Sequence, residues 1–177
     1  MRSFLLAAAF LALASSAAAQ DFTPPAEGDA PPTSLKFGIF GFSSRLGVDF
    51  KGPKQAIASM ALEVADIYSD RVRLRPSFEI GAGDGLATYV GNIEVMYRFT
   101  PDTEKAVPYI GFGLGLYGEA GGAVGCGPAL GCPKLMPQFA LGFEIRFKNN
   151  MNWLLEYHGE DALRRHRFFV GLATRRG

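Results

Sequence analysis

The chain has two cysteines, two histidines, one tryptophan and no serine beyond Ser77. Cys126 and Cys132 have no histidine or acidic residue beside them, which makes a poor metal site. No metal and no other cofactor is therefore expected. The formal net charge is +1, so there is no electrostatic case for nucleic acid. Beyond the N-terminal segment there is no run of 18 apolar residues, so no transmembrane helix is predicted. Repeats of solenoid period are missing too.

The two ends of the N-terminal region differ in kind. Residues 1–19 read as a signal peptide: Arg2 is the positive start, Phe4 to Leu13 a short apolar run, and Ala17-Ala18-Ala19 small residues suited to cleavage. Residues 20–34 are rich in Pro and small polar residues and read as a flexible periplasmic tail. Residues 35–177 amount to one domain, with room for one core or one small barrel.

Alternating polarity fills that domain. From Arg71 to Ile80, odd positions are Arg, Arg, Arg, Ser and Glu, and even positions are Val, Leu, Pro, Phe and Ile. A strand turns successive side chains to opposite faces, so this segment has one ionic and one apolar face. Eight strands are predicted, at 35–43, 56–68, 71–82, 88–100, 106–119, 136–148, 151–159 and 165–175. Most have the length that a tilted strand needs to cross an outer membrane. Connections 69–70, 101–105 and 149–150 are short, whereas 44–55, 83–87, 120–135 and 160–164 are mostly longer. This asymmetry predicts an up-and-down antiparallel barrel with both termini in the periplasm.

Alternation alone does not say which face points out. A soluble lipocalin-like barrel binding a lipid would hide its apolar face. Two features favour the inverse. Gly111, Gly113 and Gly115 lie on the polar face of the fifth strand, where small residues suit a crowded lumen. Phe99, Phe147 and Trp153 sit beside the short turns, as an interfacial aromatic girdle would. The expected fold is all-β: an eight-stranded antiparallel transmembrane barrel in the bacterial outer membrane.

RVRLRPSFEIG, VPYIGFGLGLYGE, FALGFEIRF and NWLLEYHGE together resemble the small outer-membrane barrels of the OmpA/OmpX type over residues 35–177. The resemblance implies outer-membrane lipids and lipopolysaccharide as surroundings and the barrel insertion machinery as an assembly partner. These are patterns of a superfamily and name no activity.

An Arg facing lipid costs about 2–4 kcal/mol at the midplane. Arg71, Arg73 and Arg75 are therefore expected in the lumen, with Glu79, Glu94, Arg98, Glu119, Glu144, Arg146, Glu156 and Arg167. They could form a narrow ion path, or the salt-bridge gate that the resemblance implies. They could equally pair into a closed polar core, because an eight-stranded lumen barely holds its own side chains. Cys126 and Cys132, in an exported chain and five residues apart, predict a disulfide at the tip of an outer loop.

His158 is the best enzymatic candidate, turned inward at the rim by its parity with Glu156. Small barrels that deacylate lipid A carry a His and a nearby Ser late in the chain. Here the Ser is missing, and Glu160 alone does not complete a catalytic set. The expectation is a non-enzymatic barrel with a structural or surface-interaction role. A lipid A hydrolase using His158, a lipid-binding soluble barrel and a narrow pore remain the alternatives.

Overall fold

The computed structural model describes residues 35–51, 54–83, 85–120 and 133–175. Eight strands run in chain order: β1 (Lys36–Lys51), β2 (Gln55–Asp66), β3 (Val72–Gly83), β4 (Leu86–Arg98), β5 (Ala106–Ala120), β6 (Lys134–Lys148), β7 (Met151–Glu160) and β8 (Arg165–Arg175). Each pairs antiparallel with the next, and β1 pairs with β8 to close the barrel. Closure removes the sheet edges and satisfies the backbone between strands.

The faces are inverted relative to a soluble barrel. Arg45, Glu79, Glu94, Arg98, Glu156 and Arg167 are buried, whereas Phe112, Ile93, Leu46, Phe78 and Val170 are exposed. A surface of this kind is stable only in an apolar solvent. The soluble lipid-binding alternative is thereby corrected: the apolar side chains line the outside and enclose no cavity. Phe99, Phe147 and Trp153 are exposed at the end that carries the termini. The rings of Phe147 and Trp153 lie 5.2 Å apart, and Tyr97 meets Phe99 edge-on at 5.3 Å.

Two expectations about the connections are corrected. β1 continues to Lys51, so 44–51 is strand and not loop. Leu46, Val48 and Phe50 carry the apolar face there, while Arg45, Gly47 and Asp49 face inward. β3 ends at Gly83 and β4 begins at Leu86, with Gly85 at φ +72 before it. Thus 52–54 and 84–85 at the outer end are as short as the turns at the other end, and only 121–133 is clearly longer. Arg71 is corrected as well. It lies in the turn before β3 and is exposed. The inward parity begins one step later, at Arg73.

Small residues make room for large ones within. A Cβ on Gly111 would meet Met96 Sδ at 2.6 Å, and one on Gly115 would meet Asn92 Oδ1 at 2.5 Å.

Candidate functional site

The lumen carries a chain of ion pairs in three tiers. At the end near the termini, Arg73 Nε donates to Asp66 Oδ1 at 2.7 Å and its Nη1 to Glu63 Oε2 at 2.8 Å. Its Nη2 lies 2.7 Å from Asp102 Oδ2. Arg98 donates to Glu63 and, at 2.9 Å, to Asp102 Oδ1. Asn152 Nδ2 donates to Glu144 Oε2 at 3.0 Å. Arg146 is half-buried, and its guanidinium donates to the carbonyls of Asp102 and Thr103 in the turn below.

The middle tier converges on Glu156. Arg75 Nη1 donates to its Oε2 at 2.6 Å and Nη2 to its Oε1 at 3.1 Å, and Arg45, Tyr109 and His158 also bond to it. Arg75 reaches Glu94 as well, at 2.7 Å. Arg45 Nη2 donates to Ser59 Oγ at 2.7 Å, with its guanidinium 5.2 Å from the Phe169 ring.

In the outer tier Arg167 Nη1 donates to Glu79 Oε2 at 2.6 Å and to Glu160 Oε1 at 2.9 Å, and its Nε to Asp49 Oδ2 at 3.4 Å. Arg165 lies 3.5 Å from Asp49, with its guanidinium 4.1 Å from the Tyr117 ring centre. Tyr117 donates to Glu119 at 2.5 Å. Glu119 itself is exposed at the rim.

The structure thus brings Arg73, Arg75, Glu79, Glu94, Arg98, Glu144, Glu156 and Arg167 together inside, with Arg146 at one mouth and Glu119 at the other. It leaves Arg71 out. Among the described residues it adds Arg45, Asp49, Glu63, Asp66, Asp102, Tyr109, Glu160 and Arg165, which sequence reasoning missed. For Arg45 and Asp49 the alternation of β1 held the signal. For Asp66 no signal existed, because the register shift between Ala61 and Ala65 turns both odd Glu63 and even Asp66 inward. His158 was placed at the rim; it is fully buried against Glu156, Arg45 and Phe169. Cys126 and Cys132 lie outside the described residues, as do the expected leader and tail.

Physically, this interior is a set of cross-lumen ties. A buried ion pair gives little net stability, because desolvation offsets attraction. Breaking one is costly, since the abandoned charge stays buried. The network therefore specifies which strands face each other.

No family model matches the chain, and no curated protein matches it. Solved structures do. Neisserial surface protein A is 10% identical with a TM-score of 0.59, covering 81% of this chain and 99% of that one. The N-terminal β-barrel domain of Pseudomonas aeruginosa OprF is 15% identical with a TM-score of 0.56, covering 77% and 98%. A de novo designed transmembrane β-barrel is 14% identical with a TM-score of 0.51, covering 80% and 98%. The chain has the fold of the small OmpA/OmpX-type barrels. With its inverted faces, that fold is one that meets lipid along its outer wall.

Proposed function

We propose that this barrel is a non-enzymatic, non-conducting element of the outer membrane, and that its contacts with other molecules are made by its outer connections. The observation that carries the reading is the hub at Glu156. Arg45, Arg75, Tyr109 and His158 meet there from β1, β3, β5 and β7, so the ties cross the lumen. A lumen occupied by its own paired charges supports a closed structural core over an ion path. His158 bonds to Glu156 through Nε2 and is fully buried, which argues against a role as a base for an external lipid.

The longest connection, 121–133, is the natural surface for a partner, and a disulfide between Cys126 and Cys132 would fix its tip. Lipopolysaccharide surrounds the outer half, and the insertion machinery handles assembly. The test is conductance in planar bilayers with the refolded full chain. Flat traces at high protein are expected; discrete current steps would overturn the closed core. Acyl release from labelled lipopolysaccharide, lost in His158→Ala, would overturn the non-enzymatic reading.

A further inference from the structure

Several buried polar atoms of the lumen lack a partner, Arg165 Nη2 and Arg167 Nη2 in the outer tier among them. His158 Nδ1 and Glu160 Oε2 make no hydrogen bond, in residues with no exposed surface. Buried polar atoms are nearly always satisfied, so orphans of this kind need an explanation. Both belong to one cluster. Glu79, His158 and Glu160 each offer a ligand atom, all within 4.8 Å of one another. His158 Nδ1 lies 3.7 Å from Glu79 Oε1, too long for a hydrogen bond.

The tautomer sharpens this. His158 Nε2 bonds to Glu156 Oε1, and a carboxylate there requires the proton on Nε2. Nδ1 then presents a lone pair toward a carboxylate oxygen, an arrangement that a cation between them would relieve. A carboxylate that holds one imidazole nitrogen while the other is free for a metal is the usual outer shell of a histidine ligand. The glutamates are oriented in the same sense. Arg167 Nη1 holds Glu79 Oε2 and Glu160 Oε1, leaving Glu79 Oε1 3.7 Å from His158 Nδ1 and Glu160 Oε2 without a partner. Glu79 Oε1 also accepts from Asn92 Nδ2 at 3.1 Å.

Charge favours a cation. In this network Asp49, Glu79, Glu94, Glu156 and Glu160 face Arg45, Arg75, Arg165 and Arg167, so the carboxylates outnumber the guanidiniums. Metal–ligand bonds of about 2.0–2.2 Å span ligand atoms up to ~4.4 Å apart, so His158 Nδ1 and Glu79 Oε1 at 3.7 Å fit as they stand. One imidazole with two carboxylates suits a borderline cation better than Ca²⁺ or Mg²⁺, which prefer oxygen alone.

We propose that Glu79, His158 and Glu160 form a binding site for a divalent transition-metal cation of the Zn²⁺ class in the outer half of the lumen. Glu160 ends β7, at the outer end of the barrel. Bound there, the cation ties β3 to β7.

The test is calorimetric titration of the refolded full chain with Zn²⁺ in detergent, beside long-range ¹H–¹⁵N spectra of the histidine rings. Saturation at one ion per chain is expected, with a shift of the His158 Nδ1 signal. His158→Ala and Glu160→Gln should each weaken binding by more than the ~10–100-fold that losing an outer-shell partner costs. Glu104→Gln, exposed in a turn at the other end of the barrel, should leave it unchanged. Heat-modifiable gel mobility confirms that each variant is folded, and the spectra of the unaltered chain give an answer even where a variant is not. A His158 Nδ1 that stays protonated and indifferent to Zn²⁺ would assign the site to a proton and overturn the proposal. So would Zn²⁺ binding that both variants retain.

Discussion

Tyr109 lies across Gly142: a Cβ built on that glycine would sit 1.9 Å from Tyr109 Cζ. The two are register partners on β5 and β6, and the tyrosine crosses the space its partner leaves to reach Glu156. Gly142→Ala should therefore push the ring off the hub and cost about 1–3 kcal/mol, as overpacking does. Adding Tyr109→Ala should make the two changes clearly non-additive. Urea unfolding in detergent, followed by gel mobility, measures both.

Glu156→Gln keeps the shape of the hub and removes its charge. Arg45 and Arg75 then stay buried with a neutral partner, and the expected loss is about 3–5 kcal/mol. Arg71→Ala, in an exposed turn, should stay within about 0.5 kcal/mol. Equal losses in the two variants, in the same urea titration, would contradict the division between lumen and surface drawn above.

Much of that division was legible in the sequence. In β3 and β5 each strand is regular from end to end, so parity alone separates Arg73, Arg75 and Glu79 from Leu74 and Phe78. Legibility fails where the pairing register shifts. Glu63 and Asp66 differ in parity yet share the lumen, and both bond to Arg73. In β1 the alternation of Arg45, Gly47 and Asp49 held the signal, with Gly47 leaving one step of the polar face uncharged. Arg71 shows the opposite error: its parity is right, but the strand begins after it. The cluster of Glu79, His158 and Glu160 joins β3 to β7. Local pattern carries no trace of which strands meet across a lumen.

The outer surface makes its own prediction. Ile93 is exposed in mid-β4, with Leu114 opposite it on β5. Ile93→Arg should cost about 2–4 kcal/mol if that face meets the bilayer midplane. Reduced recovery of folded protein from carbonate-washed membranes would report it. Unchanged recovery and unchanged unfolding would contradict the lipid-facing placement.

The turn from β7 to β8 is strained. Asp161, Ala162 and Leu163 follow one another at φ 48, 51 and 67, in the left-handed region. For a residue with a Cβ this costs roughly 1–2 kcal/mol. Ala162→Gly should relieve more than its added chain entropy takes back, about 0.5–1 kcal/mol. A higher urea midpoint at unchanged m value is expected, and a lower midpoint would contradict the strained geometry.

The ties at the hub run between distant parts of the chain. Arg45 on β1 meets Glu156 on β7, and Arg167 on β8 meets Glu79 on β3. An unfinished sheet holding only the first strands would carry Arg45 and Arg75 with no Glu156 to answer them. A sheet of the last strands would carry Glu160 and Arg167 without Glu79. Each half keeps some of its pairs, Arg75 with Glu94 and Arg167 with Glu160, but the rest come only from across the lumen. The charges are answered in full only once β1 has met β8.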